Sequence, residues 1–187
     1  ERDGVFSPDG NEFYFTLMAK GKGVILFVEQ VGGKWTKPEI VSFSGQYSDL
    51  EPFITSDNKK IFFVSNRPLK YDDEKKDYDI WIVERTEEGW GAPQNIGAPI
   101  STEKDEYYPS LSENGTIYFT AAYDNAVGGE DLYAARFEND KYLDPENLGN
   151  IVNSKRGEFN SHVAPDESYI IFSTWGKEDG FGGGDLY

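Results

Sequence analysis

Apolar and polar positions along the chain form a pattern that returns four times. Four turn segments share one form: Ser7-Pro8-Asp9-Gly10, Thr55-Ser56-Asp57-Asn58, Ser112-Glu113-Asn114-Gly115 and Ala164-Pro165-Asp166-Glu167. With Asp9, Asp57, Asn114 and Asp166 aligned, the spacings are 48, 57 and 52 residues. Asp or Asn followed by Gly or Asn suits a tight turn, because these residues tolerate positive φ. An apolar run follows each turn: Phe13-Tyr14-Phe15-Thr16, Ile61-Phe62-Phe63-Val64, Ile117-Tyr118-Phe119-Thr120 and Ile170-Ile171-Phe172-Ser173, with Phe15, Phe63, Phe119 and Phe172 in register. Strict alternation would predict a strand with one wet face; these runs predict strands buried on both faces.

A further strand follows a loop of variable length: Ile25 to Val28, Ile80 to Val83, Leu132 to Ala135, and Leu186-Tyr187. Asp79, Asp131 and Asp185 precede it in the last three copies, where the first copy has Val24. A weaker fourth strand carries an aromatic residue and, three positions on, a proline: Trp35 and Pro38, Trp90 and Pro93, Tyr142 and Pro145. Proline is tolerated mainly at a sheet edge, so this strand is the outermost. The next copy then starts near Asp49, Glu106 or Glu158, with Glu1 in the same register. The pattern predicts an all-β chain: a β-propeller of about four blades of four antiparallel strands, A to D from the axis outward, the last blade incomplete. The expected blades are residues 1–48, 49–105, 106–157 and 158–187 of a single propeller domain. No segment keeps a 3.6-residue period, which excludes a helical solenoid, and a β-sandwich does not explain registered copies.

These residues resemble the WD40-like propeller repeats of the TolB type. The likeness rests on the acidic residues Glu1, Asp49, Glu106 and Glu158, on Ser7-Pro8-Asp9-Gly10, on Phe172-Ser173, and on Gly128-Gly129-Glu130-Asp131-Leu132-Tyr133 with Gly183-Gly184-Asp185-Leu186-Tyr187. The second copy departs from it, with Ser56-Asp57-Asn58 at the turn and no glycine pair before Asp79. The resemblance implies a bacterial cell-envelope protein, periplasmic or extracellular, and a parent propeller of six or more blades. On that basis the chain is expected to be a fragment of a larger propeller. The alternatives are a closed four-bladed ring, or self-association of two chains through an open blade edge.

Charge narrows the partners. With 18 Lys and Arg against 34 Asp and Glu, the net charge is −16, which argues against nucleic acid or an anionic membrane. Aromatic content of 16 % marks a chain that folds rather than an acidic disordered one. No apolar stretch is long enough to insert into a membrane. There is no Cys and only His162, so neither a thiolate site nor a His-rich metal centre can be built. Starting at Glu1 rather than Met, the sequence reads as a mature or excised piece, and a removed signal peptide fits that reading.

In this fold the B–C and D–A loops share one face, and loops on a rigid scaffold carry function. The expected B–C loops, residues 19–23, 66–78, 123–130 and 176–184, vary in length and are acidic, with Asp72, Asp73, Glu74, Asp77, Asp124, Glu130, Glu178 and Asp179. Together with Asp49, Glu51, Asp105, Glu106 and Glu158 at the starts of A strands, they predict a negative channel mouth that receives a protein, peptide or glycan ligand. A bland, solubilising acidic surface is the competing reading. No cofactor is required; oxygen ligands would suit Ca²⁺ better than Zn²⁺, although no Asp-x-Asp-x-Asp-Gly loop is present. Trp175 is the best exposed binding aromatic, with Tyr107, Tyr108 and Tyr123 expected beside it. His162 lies on the innermost strand, where Val5, Phe53 and Ser110 are its equivalents, and is expected to be packed or hydrogen-bonded. No Gly-x-Ser-x-Gly elbow exists, so the reading is non-catalytic. The alternative is the propeller part of a hydrolase or lyase with a metal or substrate in the central channel, where paired carboxylates such as Asp105 and Glu106 would serve as acid and base. Arg67 is expected to form a structural ion pair, and Asp79, Asp131 and Asp185 before strand C to cap loop amides or bridge to a neighbour. The glycine pairs are expected to supply unusual backbone angles.

Overall fold

The computed structural model describes residues 1–70, 77–177 and 180–187. The described residues contain strands, turns and loops but no helix, and they divide into two compact units, Glu1–Ile96 and Gly97–Tyr187. Each unit carries two successive blade sheets.

In the first unit, blade 1 comprises β1 (Arg2–Phe6), β2 (Glu12–Ala19), β3 (Lys22–Val31), β4 (Lys34–Trp35) and β5 (Glu39–Ile40); blade 2 comprises β6 (Asp49–Ile54), β7 (Lys60–Ser65), β8 (Asp79–Thr86), β9 (Gly89–Trp90) and β10 (Gln94–Asn95). In the second unit, blade 3 comprises β11 (Glu106–Leu111), β12 (Ile117–Ala121), β13 (Asp131–Ala135), β14 (Phe137–Glu138), β15 (Lys141–Tyr142) and β16 (Glu146–Asn147); blade 4 holds β17 (Glu158–Val163), β18 (Ile170–Trp175) and β19 (Gly184–Leu186). All strand pairings are antiparallel meanders.

Strand D is split. Pro38, Pro93 and Pro145 each sit just before its second piece, β5, β10 or β16, which pairs with strand C. Its first piece carries Trp35, Trp90 or Tyr142 and closes a separate short hairpin. Lacking an N–H, proline cannot join the ladder, so the strand breaks where it stands.

The A–B turns follow their sequence chemistry. In three of them a hydroxyl donates to the turn Asp or Asn: Ser7 to Asp9 at 2.6 Å, Thr55 to Asp57 at 2.7 Å, Ser112 to Asn114 at 2.9 Å. The same side chains accept the backbone N–H two residues on. Gly10, Asn58 and Gly115 take the left-handed position. In the fourth turn Glu167 does so at φ 60°, and its carboxylate accepts from Ser112 at 2.9 Å.

Burial on both faces holds for β7 and β12 but not for β2 and β18, where it alternates. In β2, Tyr14 and Thr16 lie against blade 2, while Phe13, Phe15 and Leu17 are half covered. The first unit's core packs Tyr14, Ile25, Val41 and Phe43 with Ile61, Phe63, Trp81 and Val83. The second buries Ile117, Phe119, Leu132, Tyr133, Val163 and Phe172. Each such side chain contributes about 1.5–3 kcal/mol.

Gly128 and Gly129 do not adopt the left-handed angles expected of them. Gly128 is required by proximity instead: a Cβ there would lie 2.1 Å from the Arg156 carbonyl oxygen and 2.4 Å from that of Ser154. Gly129 N–H donates to Arg156 O at 2.8 Å. The loop before strand C therefore lies directly on the connector leading into blade 4.

Two outcomes are expected. Gly128→Ala destabilises the second unit by about 1–3 kcal/mol or more, read from the urea midpoint, because backbone cannot yield as a side chain would. In acid, hydrogen bonds hold the Asp9 carboxyl down at about 2, with Ser7 the largest cause; those from Thr55 and Ser168 lower the Asp57 and Asp166 carboxyls. A carboxyl whose folded pKa is depressed adds stability above its unfolded pKa and loses it as pH falls through the folded one. Thermal stability should therefore fall between pH 3.8 and about 2. The triple variant Asp9→Asn, Asp57→Asn, Asp166→Asn should show a shallower decline.

Candidate functional site

Within each unit, most of the functional residues expected from the sequence lie where A strands begin, B strands end or C strands begin; His162 lies near the far end of its A strand. Four of the expected acidic residues are buried and not on an open channel mouth: Asp49, Glu51, Glu106 and Glu158. Asp49, Glu106 and Glu158 are fully buried. Asp49 accepts from Ser65 Oγ (2.7 Å), Arg67 Nη2 (2.7 Å) and Ser44 Oγ (2.9 Å). Glu106 accepts from Thr102 Oγ1 at 2.7 Å. Glu158 accepts from Ser154 Oγ (2.6 Å), Ser154 N–H (2.8 Å) and Thr174 Oγ1 (3.0 Å). Each carboxylate thus ties the preceding D–A connector to its own blade, which removes all three from the acidic surface the sequence suggested. Of the two carboxylates read as a candidate acid and base, Glu106 is buried and Asp105 is exposed. Arg67 completes the Asp49 cluster. Its Nε donates to Ser65 Oγ at 2.9 Å, and its guanidinium stands over Phe63 (4.9 Å) and Trp81 (5.2 Å).

The aspartates before strand C are structural too. Asp131 accepts from Val127 N–H (2.6 Å), Gly128 N–H (3.1 Å) and Asn147 Nδ2 (2.7 Å). Asp79 accepts from Asn95 Nδ2 at 3.1 Å. By register, Asn95 and Asn147 correspond to Ile40 in blade 1, where Val24 replaces the aspartate. Carboxylate and amide are present together or absent together.

All four inner strands share a kink. Pairing between strands A and B slips once in every blade. Inside the slip, Asp3, Glu51, Tyr108 and Asn160 occupy equivalent positions with φ of 53°, 55°, 53° and 52°. None is glycine, so each costs about 1–2 kcal/mol in local conformation. In the first unit Arg2 bridges two of them, donating from Nε to Asp3 at 2.6 Å and from Nη2 to Glu51 at 2.9 Å. Burial raises the Asp3 pKa, and the Arg2 charge opposes that rise. In the second unit the neighbourhood is aromatic. Trp175, 57 % exposed, stacks on Phe159 (5.7 Å, 22°); Phe159 lies 6.0 Å from Tyr108, which lies 6.3 Å from Tyr107.

Trp175 and Tyr108 therefore come together as expected, joined by Phe159, which sequence reasoning missed although it follows the acidic residue just as Tyr107 does. Tyr123 is set apart: its hydroxyl donates to Ile100 O at 2.7 Å and its ring packs on Tyr133 at 4.8 Å. Asp124 is exposed and pairs with Lys104 at 3.1 Å, a surface pair of little energetic weight. Burial and then the Asp105 charge raise the Glu130 pKa, and Glu130 bridges to Gly157, two positions before Phe159. His162 is exposed rather than packed, because alternation along β17 turns Ser161 and Val163 inward instead. Asp72, Asp73, Glu74, Glu178 and Asp179 lie outside the described residues. Among the described residues, no three His or carboxylate side chains converge as metal ligands.

TolB from Acinetobacter baumannii matches 99 % of this chain with a TM-score of 0.61 at 10 % identity. The fold is that of a TolB-type propeller. A TolB candidate from Agrobacterium tumefaciens matches 91 % of the chain (TM-score 0.57, 16 % identity). A puromycin-hydrolysing peptidase of Mycobacterium tuberculosis matches 92 % (TM-score 0.59, 15 % identity). The chain spans 39 %, 52 % and 25 % of those three proteins respectively. No family model matches the sequence, and no curated protein matches it either. What is shared with TolB is therefore architecture.

Removing Arg67 tests the buried cluster. Arg67→Ala strands the Asp49 charge and should cost about 3–5 kcal/mol in a denaturant melt. Arg67→Lys, which keeps the charge but not the planar fork, should fall between.

Proposed function

We propose that this chain is part of a non-catalytic recognition propeller of the bacterial cell envelope. It takes a peptide, protein or glycan ligand on the face where A strands begin. The observation that supports this best is the run Trp175–Phe159–Tyr108–Tyr107, with Asp105 and Glu130 close by. Exposed aromatic rings supply binding energy at low entropic cost, and adjacent carboxylates favour a ligand carrying basic or hydroxyl groups. Among the described residues no helix is long and apolar enough to cross a membrane. An envelope location rests on the likeness to TolB.

A second reading follows from the peptidase match: the chain is the propeller portion of a hydrolase. It predicts substrate hydrolysis by the full-length gene product and none by residues 1–187 alone.

The recognition reading is tested by presenting immobilised protein with a random peptide library, solubilised envelope proteins and soluble cell-wall glycan fragments. One class should be retained, and Trp175→Ala should weaken retention about tenfold or more. Retention of nothing, or retention unchanged in a Trp175→Ala, Tyr108→Ala double variant, would refute the assigned face.

A further inference from the structure

A second cleft lies in the first unit, at the opposite end of the blades. It measures about 330 Å³ and is walled by Tyr14, Phe27, Ile40, Arg85, Glu88 and Trp90. Register fixes its position: Lys60 pairs with Glu84 at the A–B-turn end of blade 2, whereas Ser65 pairs with Asp79 at the other end. The volume falls in the range of small-ligand sites, near its lower bound.

Arg85 is a brace here and not an anion hook. It donates to both Glu12 oxygens (3.1 and 2.5 Å), to Asn58 O (2.9 Å) and to Asn58 Oδ1 (2.9 Å), and it stacks on Trp90 at 4.3 Å. Glu12 neutralises its charge, and no other basic residue lines the cleft. The remaining charge is the exposed Glu88 carboxylate, so an anionic ligand is disfavoured.

The decisive group is Tyr14. It is 1 % exposed, lines the cleft, and its oxygen accepts the Trp90 indole N–H at 3.2 Å and a further hydrogen bond from the Arg85 guanidinium. Burial first, and then the Glu12 charge, push its pKa up to about 12, so the phenol keeps its proton. Among the described residues, that proton has no acceptor. A buried donor without a partner is costly, and a ligand oxygen would relieve the cost.

We propose that this cleft binds a peptide-like group: an apolar or aromatic side chain against Trp90 and Phe27, with its amide carbonyl accepting from Tyr14 O–H. The ligand is neutral or cationic and about one residue in size. This site is separate from the aromatic run around Trp175, and neither proposal depends on the other.

The test titrates ¹⁵N-labelled protein with N-acetyl-L-phenylalanine amide and follows the indole N–H resonances. That of Trp90 is identified by its loss in Trp90→Phe. A saturable shift of the Trp90 signal, with the Trp175 signal unmoved, is expected. Tyr14→Phe should weaken binding about tenfold. Ser42→Trp, which fills the cleft from an exposed wall position, should abolish the shift. N-acetyl-L-glutamate should bind more weakly than the amide. The Trp81 signal, from the blade core, reports that each variant is folded. No saturable Trp90 shift in the unmodified protein would overturn the proposal, as would an undiminished shift in Ser42→Trp or tighter binding of the glutamate.

Discussion

A carboxylate buried at the start of an inner strand is the interaction on which the rest of the described structure depends. Asp49, Glu106 and Glu158 hold the hydroxyls of the preceding connector and, in two cases, a hydroxyl at the end of the neighbouring strand. An ionised group can remain in such a place only if donors surround it. The connector therefore cannot drift without leaving a charge unsatisfied, and within each unit the first blade's exit is fixed relative to the second blade's first strand. Loops on that end hang from a rigid frame.

The other end is clasped differently. There, side chains reach from one blade to the next: Glu12 to Arg85 in the first unit, Glu167 to Ser112 in the second. These contacts are partly exposed, and in the first unit a cleft opens beside the Glu12–Arg85 pair. The asymmetry has a physical origin. One end is crossed by the chain passing between blades and must be closed, while the other is joined only by side chains.

Much of this was legible in the sequence. Turn chemistry, the registered apolar runs and the positions of Pro38, Pro93 and Pro145 led directly to the strands, because each reflects a local steric or hydrogen-bonding rule. The burial of Asp49, Glu106 and Glu158 was not, since a sequence displays charge but not donors. Their Ser or Thr partners four or five positions earlier were visible, and a Ser or Thr followed by an acid after three or four intervening residues in each copy would have been the signal. The inner-strand slip was hidden for another reason: Asp3, Glu51, Tyr108 and Asn160 share a backbone angle and no chemistry. Gly128 was noticed for its flexibility, when what mattered was the carbonyl pressed against it.

That slip has a wider consequence. Where each repeat keeps one left-handed residue yet fills it with an acid, a phenol or an amide, shape has been separated from composition. The backbone course at these four positions is therefore set independently of side-chain chemistry, and the identity of the residue there can change while the hydrogen-bond ladder stays as it is.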